Sequence, residues 1–132
     1  MVVDGSVLLA ILLRTPDATR FDAALSGASV RLISAVTRAE VACAIEGRKG
    51  APGRTALERL LREGDIETGA VTPQQADLAA DAFRRFGSDR PSAALTLGDC
   101  FAYALAQIVG LPLLFSDERF RQTDVIAALP PA

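Results

Sequence analysis

Four acids fall where an apolar, β-rich stretch gives way to a turn or a helix. Asp4 follows Val2-Val3, Glu40 lies early in the helical stretch after Val30-Arg31-Leu32-Ile33, Asp99 closes Thr96-Leu97-Gly98-Asp99, and Asp117 follows Leu113-Leu114-Phe115-Ser116. If the strands are parallel, all four project from one carboxyl edge, where open α/β sheets bind their ligands. Carboxylates gathered there repel by roughly 3 kcal/mol per pair at about 5 Å and an effective dielectric of about 20, so a fold that collects them usually does so for a cation. The chain has no histidine, and all-oxygen ligation indicates a hard ion, Mg²⁺ or Mn²⁺. Each acid also has a plainer role open to it. Asp4 can cap the helix starting at Gly5 or Ser6, Asp99 completes a T-x-x-D box with Thr96, Asp117 suits a turn and Glu40 a solvated helix face. The conjunction of the four carries the argument.

The elements that must position these acids are legible from caps and breakers. Val2-Val3 reads as a strand, Asp4-Gly5-Ser6 as a tight turn, and the apolar run Val7–Leu13 as a buried helix. Thr15-Pro16-Asp17 opens a helix over about 16–25 that Ser26-Gly27 ends; Val30–Ile33 is a second strand, and Ser34 caps a helix over about 35–48. The glycines and proline of 47–53 are punctuation before a helix over 54–63, and Ile66–Val71 is a weaker third strand. Thr72-Pro73-Gln74-Gln75 opens a helix to Phe86, and Ser88–Leu95, with Pro91, is a polar loop expected to be the most mobile connection. A strongly apolar helix over 100–109 ends at Gly110, Leu113–Phe115 is a short strand, Asp124–Ile126 a marginal last one, and the Pro130-Pro131 tail is expected to fray. Strands alternating with helices of this length predict right-handed βαβ units: a three-layer α/β/α sandwich on a central parallel sheet of four to five strands, one domain over 1–132.

Composition narrows the function classes. The 132 residues carry a net charge of −2, which argues against holding nucleic acid by bulk electrostatics while leaving room for a local basic rim. Lys49 is the sole lysine among fourteen cations, and Arg38, Arg48, Arg85, Arg90, Arg119 and Arg121 are candidates for such a rim. The longest apolar run is far short of the roughly 20 residues that span a bilayer, and no basic segment with a cleavage site precedes it, so a cytoplasmic protein without membrane association is expected. Cys43 and Cys100 follow no metal-binding spacing and are expected to be buried and reduced.

At the level of motifs the chain resembles a known family. Val2-Val3-Asp4-Gly5-Ser6, Ser34-Ala35-Val36-Thr37-Arg38-Ala39-Glu40, Leu97-Gly98-Asp99-Cys100-Phe101-Ala102-Tyr103-Ala104-Leu105-Ala106 and Leu113-Leu114-Phe115-Ser116-Asp117-Glu118-Arg119-Phe120 resemble the successive motifs of PIN-domain ribonucleases, especially VapC toxins of bacterial toxin–antitoxin pairs. The resemblance implies a Mg²⁺-dependent endoribonuclease, neutralised by a cognate antitoxin and commonly a homodimer. It implies Asp4 and Asp99 as principal metal ligands, Glu40 as ligand or proton acceptor, Asp117 as the fourth acid and Ser6 as a hydrogen-bonding support. Two departures stand out: Gly5 replaces the usual threonine, serine or alanine, which could loosen the turn under Asp4, and Ser116-Asp117 replaces a glycine- or asparagine-bearing turn, which leaves Asp124 as a substitute for Asp117.

Two other readings compete. A phosphoaspartate protein would want a second acid two residues after Asp4, where Ser6 stands, and a receiver would want an aspartate ending the third strand, where Val71-Thr72 stand. A non-catalytic PIN-like module binding RNA or protein is disfavoured by retention of all four carboxylates and kept open by Gly5.

Overall fold

The computed structural model describes residues 1–87 and 93–132. The chain runs β1 (Val2–Val3), α1 (Gly5–Leu12), α2 (Ala18–Ser26), β2 (Leu32–Ser34), α3 (Ala35–Glu63), β3 (Glu67–Gly69), α4 (Pro73–Phe86), α5 (Leu97–Val109) and β4 (Leu113–Leu114), then a 3₁₀ turn over Glu118–Gln122. The four strands form one sheet in the order β3-β2-β1-β4. All neighbours are parallel, with Val2 opposite both Leu32 and Leu113. Strand order therefore reverses at β1, and the carboxyl ends of β1 and β4 open a crevice beside Asp4.

Strand alternation divides the core into two. Val2 and Leu113 pack with α4 and α5 on one face, while Val3, Ile33 and Leu114 pack with α1, α2 and α3 on the other. Successive strand residues point to opposite faces, so the two-residue apolar strands β1 and β4, with Leu32 and Ile33 of β2, join both helical layers. No helix among the described residues is long and apolar enough to cross a membrane.

Local chemistry sets the helix ends. Ser34 caps α3 through Val36 N–H, and Thr72 caps α4 through Gln75 N–H. Thr96 and Asp99 form a reciprocal capping box on α5, which Gly110 ends in the left-handed conformation (φ 67°) that glycine adopts without a Cβ penalty. Within α3 only Gly50 leaves helical geometry (φ 63°, ψ −150°), so the punctuated stretch 47–53 is one sharp break between two helical arms.

Several sequence expectations need correction. The strand expected over 124–126 is a single parallel bridge, Leu113 with Ala127, so the sheet has four strands. The Pro130 carbonyl accepts from the Arg20 guanidinium, which ties down a tail expected to fray. Helix α2 begins at Ala18 rather than Pro16, and its N-cap residue Asp17 makes no side-chain cap bond. Cys43 is exposed whereas Cys100 is buried; α3 buries Val41 and Ile45, four apart, and Cys43 falls off that stripe. The expected mobile loop lies mostly outside the described residues, and so does Arg90.

Gly5 does not loosen the turn. It begins α1 with ordinary helical backbone, and a Cβ placed there would sit 2.8 Å from Val41 Cγ2 and 3.4 Å from Thr37 Cγ2, so its bareness lets α1 lie close on α3. Val41 is buried and β-branched and cannot swing aside. Overpacking costs about 1–3 kcal/mol and alanine's helix propensity returns up to about 1. Gly5→Ala is therefore expected to melt lower than the parent by about 1 kcal/mol in EDTA, and an equal or higher midpoint in thermal denaturation would refute the close-approach explanation.

Candidate functional site

Asp4 is delivered by β1 and is 3% exposed. Its Oδ2 accepts from Ser6 N–H at 3.0 Å and from Ser6 Oγ at 2.6 Å, so it caps α1 and faces the crevice at once. Ser6 Oγ in turn accepts from Ser116 N–H at 2.9 Å and Asp117 N–H at 3.3 Å. One hydroxyl thus fastens the β1–α1 turn to the loop after β4.

Asp99 reaches the same place from the first turn of α5. Its Oδ2 accepts from Thr96 N–H at 2.9 Å, so capping and site roles coexist here too. Glu40 comes across from α3, and its carboxylate lies against the backbone of Gly98, where a Cβ would be 1.7 Å from Oε1. Asp117 caps the 3₁₀ turn through Arg119 N–H at 3.0 Å. All four acids line one cavity of about 340 Å³, together with Ser6, Thr37 and Thr96. Asp124 stands elsewhere: it accepts from Tyr103 Oη at 2.6 Å and from Arg85 at 3.3 Å, and it is not part of that lining.

The electrostatics follow from burial first and from the neighbouring charges second. Burial, and to a lesser degree the Asp99 carboxylate, raises Asp4 to about 6 against partial relief from Ser6. Burial and Asp99 likewise raise Glu40. Asp117 is lowered instead, chiefly by the Arg119 guanidinium. Burial, and to a lesser degree Asp99, pushes the Cys100 thiol up to about 11, and Cys100 is not part of the cavity lining. Among the described residues no three acid or thiol side chains converge tightly enough to hold a metal ion by themselves.

The comparisons with known proteins bear on this geometry. The PIN domain family model matches residues 1–126. The chain belongs to the PIN-domain family. Within it the chain groups with the VapC ribonucleases: it is 44% identical over 131 residues to Ribonuclease VapC30 of Mycobacterium tuberculosis, covering 99% of this chain and 100% of that one. It is 46% identical over 127 residues to Ribonuclease VapC of Mycolicibacterium smegmatis, covering 96% and 98%. Its fold superposes on the crystal structure of Mycobacterium tuberculosis VapC20, described as a Sarcin-Ricin loop cleaving toxin, with a TM-score of 0.79 over 98% of both chains at 18% identity.

Three participants of this PIN-domain cavity escape a reading of sequence alone. Thr37 lines it with a buried Oγ1 that has no hydrogen-bond partner; its signal was the i, i+3 spacing to Glu40 on one helix face. Gly98 matters only because α3 packs over α5. Arg119, among the rim candidates, lies against the acids themselves: its guanidinium pairs with Asp117 and with Asp99.

Two outcomes follow. For Asp4 the folded value of about 6 exceeds the ordinary 3.8, so the native state binds this proton more tightly than the unfolded chain does. Its favourable contribution is full below about pH 4 and is lost as pH rises through about 6, leaving a cost of about 3 kcal/mol at roughly 1.4 kcal/mol per unit. Asp4→Asn is expected to be more stable than the parent at pH 7.5 in EDTA, by up to that amount, with the gap shrinking toward pH 4; denaturant melts showing no gap at pH 7.5 would refute this. Gly98→Ala is expected to keep or raise the melting temperature, because the helix gains propensity and Glu40 can rotate away. RNA cleavage should nevertheless fall, since the displaced carboxylate leaves the cavity, and unchanged cleavage would show that Glu40's position against Gly98 is immaterial.

Proposed function

We propose that this VapC-type ribonuclease is a Mg²⁺-dependent endoribonuclease, the toxin half of a toxin–antitoxin pair, hydrolysing RNA phosphodiester bonds at the cavity between β1, α3, α5 and the 3₁₀ turn. One observation carries the reading: carboxylates separated by up to 113 residues in sequence line a single cavity. The donor set suits a hard cation, since every polar side chain in the lining offers oxygen, Thr37 adds an unpartnered hydroxyl, and the bareness of Gly98 admits the Glu40 carboxylate. Magnesium ordinarily takes one or two protein carboxylates and keeps several waters, and Mn²⁺ accepts the same donors. Asp4 and Asp99 are the proposed ligands.

When bound, such an ion polarises the scissile phosphate and lowers the pKa of a water. Glu40, whose carboxyl burial and the neighbouring Asp99 raise from its ordinary value, is the proposed ligand or proton acceptor. Ser6 holds Asp4 in one rotamer through its short hydrogen bond. Asp117 completes the acidic quartet while orienting Arg119. Of the rim candidates, Arg85 and Arg121 are paired with Asp124 and Glu118, and Arg38 donates to Thr68 Oγ1, so backbone phosphates would have to draw them from internal partners.

The reading extends to partners. An antitoxin would lay an apolar helix along Val36, Ala39, Cys43 and Ala44, a shallow groove that shares Glu40 with the acidic cavity, and set an arginine or lysine against the carboxylates. Assembly as a homodimer is supported by the exposed apolar side chains of Ile126 and Leu97. A cytoplasmic location suits two unpaired cysteines, and residues 1–132 would act as one PIN-like unit.

Structured RNA incubated with the purified protein tests the core of this. Cleavage in Mg²⁺ and its loss in EDTA are expected, with Asp4→Asn and Asp99→Asn reduced to background and Asp124→Asn close to the parent. In melts, Mg²⁺ at a hundredfold excess over Kd should stabilise the parent by about 2.7 kcal/mol and Asp99→Asn far less. Full cleavage by Asp99→Asn would overturn the assignment.

A further inference from the structure

The acidic cavity already has a cation of its own. Arg119 Nη2 lies 3.2 Å from Asp99 Oδ2, Nε lies 2.9 Å from both Asp117 oxygens, Nη2 also pairs with Asp117 Oδ2, and Nη1 donates to the Ala94 carbonyl at 2.7 Å. The fork therefore spans two acids from two segments, the 3₁₀ turn and the start of α5, and ties both to Ala94, two residues before the Thr96 cap. Its side chain is 41% exposed, so it sits at the mouth of the cavity rather than locked in the core. Among the described residues no set of three acids is drawn close enough to hold a metal.

We infer that Arg119 is a built-in counter-cation of this site, bridging Asp99 and Asp117 and competing with a divalent ion for them. The inference rests on the metal reading above and adds to it a residue that opposes the ion. Two positive charges cannot share the Asp99 carboxylate at short range without repulsion, so entry of the ion requires the guanidinium to retract. Linkage makes the opposition reciprocal: whatever Arg119 costs the metal, the metal costs the Arg119 bridge. The bridge neutralises carboxylates that would otherwise repel across the cavity, which keeps the acid cluster compatible with a folded chain when no ion is present. Lysine could supply the charge but not the fork that reaches two carboxylates and a carbonyl together.

The test uses the full chain, stripped with EDTA and dialysed, in titration calorimetry with Mn²⁺ and Mg²⁺ and in thermal melts. Arg119→Gln is expected to bind the ion about tenfold more tightly than the parent, a modest factor because a partly exposed pair is screened. It should also melt lower in EDTA, with the gap closing as Mg²⁺ is added. Arg119→Lys should fall between the two in both readouts, and it decides the matter if the glutamine variant does not fold. Equal affinities in parent and variant would overturn the inference, leaving Arg119 a clamp on Asp117 alone. Weaker binding by the variant would overturn it in the other direction, making Arg119 an organiser of the ligands. If neither parent nor variants take up either ion, both the inference and the metal reading fall; if the parent binds and the variants match it, only the inference does.

Discussion

Burial of carboxylates at one sheet edge is the constraint on which this site depends. Asp4, Glu40, Asp99 and Asp117 line one cavity, and the buried Asp4 is raised to about 6 largely because it is shut away from water. A small α/β domain does not place carboxylates this way for stability, because an ionised buried acid costs several times the value of a surface ion pair. The fold offsets the cost locally: Ser6 donates to Asp4, the Thr96 backbone donates to Asp99, and Arg119 pairs with Asp99 and Asp117. Each offset comes from a different element, so the site's electrostatics are distributed over the whole carboxyl edge.

Double use of residues is the economy that makes this possible in a short chain. Asp4 is both the cap of α1 and an acid of the cavity, and Asp99 is both a member of a capping box and an acid of the cavity. In each case helix-starting geometry aims a carboxylate at the end of the sheet, where the helix N-terminus also favours negative charge. The choice between cap and functional group, which looks like an alternative in the sequence, is not one in the structure.

What could be read in advance was local. The Ser34, Thr72 and Thr96 caps, the Gly110 terminus and the apolar strands are determined within a few residues, and the sheet's parallel order follows from alternation of strand and helix. What could not be read depends on packing between distant helices. Gly98 is informative only because Glu40, 58 positions earlier, lies on it, and Gly5 because Val41 lies on it. Cys43 looked buried among apolar neighbours, yet the α3 stripe through Val41 and Ile45 leaves it outside. Arg119 could be placed on the rim but not between two acids, because no local pattern says which way a long guanidinium will turn. The sequence likewise left Asp117 and Asp124 level, and their places differ through distant contacts: Tyr103 and Arg85 hold Asp124 outside the cavity that Asp117 lines.

The hydroxyl of Ser6 reaches the backbone of Ser116 and Asp117 across a separation of 110 and 111 residues, and β1 hydrogen-bonds through Asp4 N–H to the carbonyl of Leu114. Asp4 and Ser6 are therefore aligned by residues synthesised well after them, with 110 positions between Ser6 and Ser116. A chain still emerging from the ribosome holds Asp4 on a strand without its β4 neighbour and a serine without its partners. Assembly of this cavity is thus tied to synthesis through Asp117, and a nascent chain that stops short of it carries the earlier acids without the assembled cavity.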